Sequence, residues 1–311
     1  MSDVSVPIET GGIRMVPVST PSGDFRVWTR RSGQSPTLKV LLLHGGPGAT
    51  HEYLLGLDSF LPQAGIELYF YDQLGSGWSD RPEDPSLGQV DRFVDEVEQV
   101  RQALGLGPED FVLYGQSWSG ILAMEYALAH PEALKGLVLS NMMASIPAYN
   151  RYADEVLVPA QDPTRIAAIK AHEAAGTTDD PAYDDLLMAE HYPKHVLRLP
   201  VEDWPEPVVR SFSRINKAVY VPMQGPSELG ASGTLSDWDR FDDLPRIDVP
   251  TLVIGAEHDT MDPAHLRAMA EQLPRGSYHH CPQGSHLALY DDQQTYVAGL
   301  LAWLRALDGR A

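Results

Sequence analysis

The sequence predicts an α/β protein, with a mostly parallel central sheet, helices on both faces and an inserted helical lid. Three observations carry this. Short, wholly apolar runs, the mark of strands covered on both faces, alternate with stretches of helical spacing. One such run, from Phe111 to Tyr114, passes through a tight turn of small residues with Ser117 at its apex into a helical pattern, Ile121 to His130. Between about Asn141 and Asp243 the alternation stops and prolines become frequent. We therefore divide the chain into a core, 1–140 and 244–311, and a helical insertion, 141–243.

Taken in order, Ile13 to Val18 and Phe25 to Thr29 have strand composition and flank the turn residues Pro21, Ser22 and Gly23, which predicts an antiparallel hairpin at a sheet edge. Leu38 to Leu43 is a buried strand ending in His44-Gly45-Gly46-Pro47-Gly48, which forbids a continuing strand. His51 to Leu61 suits a short helix. Ile66 to Tyr71 is a strand running into the loop Asp72-Gln73-Leu74-Gly75-Ser76-Gly77. Val90, Phe93, Val94, Val97, Val100 and Leu104 recur at helical spacing. After the serine turn and its helix, Leu134 to Ser140 is a strand. In the insertion, Arg165 to Ala175 and Asp184 to Glu190 read as helices. Thr251 to Ala256 resumes the strands, followed by a helix Pro263 to Leu273, a short strand Tyr278 to Cys281 and a last helix Gln293 to Leu307.

Composition bounds the function. The 311 residues and 43% hydrophobic content can fill a sizeable core. A net charge of -20 argues against nucleic acid, whose phosphates it would repel. It suits a cationic substrate, although solubility is the plainer reading. No apolar run is long enough to span a bilayer, so no membrane partner is expected. Met1 to Thr10 lack a basic segment followed by an apolar core, so no signal peptide is expected. The single Cys281 precludes an internal disulfide, reads as a small buried residue in a strand and suits a reducing cytoplasm. The sequence sets no oligomeric state.

The chemistry centres on Gly115-Gln116-Ser117-Trp118-Ser119, a strand–turn–helix nucleophile elbow in which Ser119 stands where a second glycine is usual. A serine hydroxyl is a weak nucleophile that needs a base, and the base needs an orienting carboxylate. Asp259 follows a strand and His286 follows the last strand, which places Ser117, Asp259 and His286 in the chain order expected of a triad. Asp262 and Glu257 are rival acids; His258, His279 and His280 are rival bases. The oxyanion donors are expected to be the amides of Trp118 and Gly46, with Gly45 the second choice. The glycine loop lacks the lysine of a phosphate-binding loop and the spacing of a dinucleotide fingerprint, so no cofactor is expected. His191-x-x-x-His195 is the one metal candidate. It is disfavoured because Pro193 interrupts it and no Glu follows the first His, so no metal is expected.

Together His44-Gly45-Gly46-Pro47-Gly48, Asp72-Gln73-Leu74-Gly75-Ser76-Gly77, Gly115-Gln116-Ser117-Trp118 and Gly284-Ser285-His286-Leu287 resemble the proline iminopeptidases (prolyl aminopeptidases) of the α/β-hydrolase fold. So does the stretch Gly225-Pro226-Ser227-Glu228 with Gly233-Thr234-Leu235-Ser236-Asp237-Trp238-Asp239. The resemblance runs from about residue 13 to the end, and L-amino-acid amidases are close relatives of that family. It implies a serine hydrolase that removes an N-terminal residue, proline or another small one, from a short peptide or amide with a free amino group. It also implies that Glu228 holds that amine, with Tyr220 an aromatic position nearby. A protonated amine in a partly dry site needs such an anionic partner. Some family members carry a second glutamate where this chain has Thr260, which implies that one amine-binding charge is either missing or supplied elsewhere, with Glu190 and Asp262 the candidates. Competing readings are an amidase or small-molecule esterase of the same fold, and a non-catalytic member that binds a small ligand.

Overall fold

The computed structural model describes residues 10–309; of the leader-free reading of the first ten residues, all but Thr10 lies outside the described residues. Eight strands form one sheet: β1 (Ile13–Thr20), β2 (Gly23–Ser32), β3 (Lys39–Leu43), β4 (Glu67–Asp72), β5 (Phe111–Gln116), β6 (Gly136–Ser140), β7 (Thr251–Ala256) and β8 (Gly276–Cys281). Their spatial order is β1-β2-β4-β3-β5-β6-β7-β8. The β1–β2 hairpin and the β2–β4 pair are antiparallel, and every pair from β4 onward is parallel. The strands meet the expectation, and the first two extend past the predicted bounds until only Pro21 and Ser22 form the turn.

The apolar runs are double-faced for a simple reason. Leu41, Leu43, Leu113, Leu137, Leu139 and Val253 pack into one core, while Val40, Leu42, Val112, Tyr114, Val138, Leu252 and Ile254 pack into another. Alternate residues on each strand point to opposite faces, so a strand between two helix layers is apolar at every position. The first face is covered by α1 (Val90–Leu104) and α2 (Trp118–Ala129), the second by the 3₁₀ turn His51–Ser59 and the C-terminal helix. None of the helices among the described residues is long and apolar enough to cross a membrane.

Between β6 and β7 the chain forms α3 (Ile146–Tyr152), α4 (Pro163–Ala175), α5 (Pro181–Glu190), α6 (Tyr192–His195), α7 (Glu206–Ser213) and α8 (Lys217–Met223). Only α4 and α5 were expected. The others were hidden by their prolines, which in α3, α6 and α7 sit in the first turn, where the missing N–H is not needed, and in α8 lie inside the helix at Pro222. Asp162, Asp180 and Asn216 cap α4, α5 and α8 by accepting backbone amides. After β7 come α9 (Pro263–Gln272), α10 (Ala288–Asp291) and α11 (Gln293–Leu307). Cys281 lies fully buried in β8.

Candidate active site

Ser117 occupies the junction of β5 and α2 with φ 58° and ψ -135°, a conformation that costs energy for any residue with a Cβ. Its neighbours make the turn accessible. A Cβ on Gly115 would collide with the carbonyl of Ser119, and one on Gly120 would meet Met142. The Ser117 amide donates to the Ser140 carbonyl at 3.0 Å and pins the turn to β6.

From this perch the Ser117 hydroxyl lies 2.9 Å from His286 Nε2, and His286 Nδ1 lies 2.8 Å from Asp259 Oδ1. Asp259 is fully buried and held from several sides. The Asn141 side-chain Nδ2 donates to its Oδ2 at 2.6 Å, while the Met261 backbone amide at 3.1 Å and the Thr260 hydroxyl at 3.3 Å reach Oδ1. Burial alone would lower the proton affinity of His286. The charge and hydrogen bond of Asp259 outweigh it and hold the imidazole above the ordinary histidine value.

The rival residues are engaged elsewhere. Asp262 caps α9 through the Ala264 amide, Glu257 faces His280 at 3.3 Å, and His279 Nε2 lies 2.9 Å from the Thr295 carbonyl. Glu190 is paired with Arg165, Lys194 and the Asp162 amide within the helical segment. Neither Glu190 nor Asp262 lines the cavity over Ser117, so the expectation that either replaces the missing glutamate is corrected.

The two favoured oxyanion donors, the amides of Gly46 and Trp118, have no hydrogen-bond acceptor in the described protein. Trp118 is the first residue of α2, whose leading amides have no partner within the helix. Gly46 has φ 111°, and a Cβ there would come within 2.6 Å of the Ala49 nitrogen. Gly45, the second choice, is excluded by its own bond: its amide donates to the Tyr53 hydroxyl at 2.6 Å.

Three glycine-rich motifs that read separately along the chain prove to be interlocked. The Gln73 amide nitrogen donates to His44 Nε2 at 3.0 Å, and its side chain donates to the His44 carbonyl at 2.8 Å. The Trp118 indole donates back to Gln73 Oε1 at 3.0 Å. The Ser119 hydroxyl also donates to the His44 carbonyl, so the departure from a second glycine has a use. Burial pushes His44 down, keeping it a neutral acceptor. Sequence reasoning missed Gln73, Tyr53 and Asn141; a glutamine directly after a buried strand was the one available signal.

A cavity of about 380 Å³ opens over Ser117, lined among others by Gly46, Tyr53, His286, Leu187, Tyr192, Phe212, Tyr220 and Glu228. The Tyr220 hydroxyl donates to Glu228 Oε1 at 2.7 Å. Burial raises Glu228, opposed in part by His286 and by the Tyr220 bond; burial also keeps Tyr220 protonated and thus a donor. At the rim Asp179 and Asp184 lie 3.6 and 3.9 Å from Lys217. The rings of His191 and His195 lie 5.2 Å apart and tilted by 39°, and no group of three or more potential metal ligands gathers among the described residues.

Residues 39–293 match the family model described as alpha/beta hydrolase fold. The proline iminopeptidase of Flavobacterium johnsoniae is 47% identical over 290 residues, covering 93% of this chain and 97% of that protein. Among solved structures, VinJ superposes with a TM-score of 0.87 at 34% identity, covering 94% of this chain and 99% of that one. The proline iminopeptidase of Mycobacterium smegmatis superposes at 0.82 with 31% identity, covering 95% and 98%. With such identity over nearly the whole length of its relatives, the chain belongs to the proline iminopeptidase family of the α/β-hydrolase fold.

Proposed function

We propose that this chain is a serine aminopeptidase that releases an N-terminal residue, proline or another small one, from short peptides or amides through an acyl-enzyme. One observation carries the reading: Ser117 and the carboxylate of Glu228 line the same cavity, so a nucleophile and an anion for the substrate's ammonium face one small ligand. The relatives named above as proline iminopeptidases support the choice of first residue.

In this mechanism Ser117 Oγ attacks the acyl carbon of the first residue while its proton passes to His286 Nε2. Asp259 holds the ring and balances the charge that forms on it. The amides of Gly46 and Trp118 donate to the tetrahedral oxyanion. His286 then delivers the proton to the leaving amine, the C–N bond breaks, and a water activated by the same imidazole hydrolyses the ester. Glu228, steadied by Tyr220, holds the substrate ammonium, and the helices 141–243 act as the lid that excludes solvent. A cytoplasmic location accords with the single, buried Cys281.

The test is turnover of Pro-Gly, prolinamide and their N-acetyl forms by the wild type and by Glu228→Gln. The reading predicts hydrolysis of the free-amine substrates and a selective loss of these in the variant. Turnover of prolinamide without Pro-Gly would make the chain an amidase. Equal losses on free and acetylated substrates would remove Glu228 from amine binding.

A further inference from the structure

His191 caps the start of the single turn of α6 and His195 is its last residue, and each end of that turn touches a different part of the proposed site. At one end His191 is buried, with Nε2 3.1 Å from the carbonyl oxygen of Glu228 and Nδ1 3.0 Å from Gln161 Nε2. The same Gln161 nitrogen donates to the Leu157 carbonyl at 3.1 Å, which fixes the amide with its NH₂ toward the ring. Nδ1 must then accept, and the proton sits on Nε2, aimed at Glu228. Burial pushes His191 down to about 3 and so favours the neutral ring. The Tyr149 hydroxyl donates to the same Glu228 carbonyl at 2.7 Å.

At the other end the His286 amide donates to the His195 carbonyl at 3.0 Å, and the Leu287 amide donates to the Val196 carbonyl at 2.9 Å. The Ser285 hydroxyl also donates to Val196 O at 2.9 Å. One helical turn therefore bridges the backbone of the amine-holding residue and the backbone of the catalytic imidazole.

We propose that α6 is a spacer setting the distance from Glu228 to His286, and that His191 is its positioning residue, selecting substrates whose amino nitrogen lies one carbon from the scissile carbonyl. This rests on Glu228 as the amine anchor. His191 does not line the cavity, so it acts through Glu228 rather than on substrate. The chemical class selected is the α-amino or α-imino acyl group; a β-amino acyl group puts its nitrogen one bond too far.

Three substrates test this: prolyl p-nitroanilide, its pyrrolidine-3-carbonyl homologue with the nitrogen one carbon further, and p-nitrophenyl acetate, which has no amine. In His191→Leu the ratio of kcat/KM for the α-substrate over the homologue should fall about tenfold, the scale expected when an anchor shifts by a fraction of an ångström. The ratio of the α-substrate to the acetate should fall with it. His191→Gln, which can restore a donor to the Glu228 carbonyl, should recover most of both ratios. Tyr149→Phe keeps the space filled, removes the second donor and should move the ratios the same way by less; it stands in if His191→Leu does not fold. Equal losses on all three substrates, or unchanged ratios, overturn the proposal. Glu228→Gln separates the two levels. If it leaves the α-substrate-to-acetate ratio intact, amine anchoring is wrong and the spacer falls with it. If it collapses that ratio while His191→Leu and Tyr149→Phe do not, only the spacer is wrong.

Discussion

The hydroxyl of Tyr53 accepts the amide of Gly45 at 2.6 Å and donates onward to Gln116 Oε1 at 2.7 Å. Gln116 in turn donates to the His286 carbonyl at 3.0 Å. One phenol thus joins the loop that carries Gly46, the turn that carries Ser117 and the loop that carries His286. Burial raises Tyr53 well above the usual tyrosine range, so it remains a protonated donor.

Tyr53→Phe removes this junction while filling the same space. The Gly46 amide should lose its alignment with the oxyanion, a bond made in the transition state. The expected result is a kcat lower by about tenfold with KM within about twofold of wild type. Steady-state kinetics on prolyl p-nitroanilide check it, and an unchanged kcat would show that the loop holds itself.

The acid limb of kcat/KM should lie above the ordinary histidine value. His286 must be unprotonated to take the serine proton. Its raised affinity keeps it protonated to higher pH than a free imidazole, so activity is lost as pH falls through that raised value. Asp259→Asn leaves burial without the compensating charge. The limb should move to lower pH, and kcat should drop by about 10⁴. A profile on p-nitrophenyl acetate isolates His286 from Glu228; a limb at or below the ordinary value would mean the Asp259 contact is weaker than its geometry.

Ser119→Gly would restore the more usual motif and yet should destabilise the protein. It removes the hydroxyl bonded to the His44 carbonyl and reached by Gln73 at 3.2 Å, and it puts a flexible residue in the first turn of α2. The loss should be about 1–2 kcal/mol, read as a lower urea midpoint. A midpoint at or above that of the wild type would make the serine a neutral variant.

The core was legible because buried parallel strands leave unbroken apolar runs and because Asp259 and His286 follow strands at fixed places. The helical segment was less so. Pro147, Pro193 and Pro207 read as interruptions, yet each sits in a first turn where proline fits. Tyr53 and Asn141 left no local signal, since Gln116 and Asp259, to which they donate, lie 63 and 118 residues away in the chain. Glu228 came into view only through family resemblance, because nothing in a loop glutamate announces that it will face a cavity.

The most direct measurement is peptide mapping after treatment with an aryl phosphonate, with residual peptidase activity followed in parallel. The account predicts one adduct, on Ser117, growing in step with the loss of activity and absent from Ser117→Ala, which should itself be inactive. An adduct on another residue that tracks inactivation, or Ser117→Ala turning over substrate within a few-fold of wild type, would contradict it.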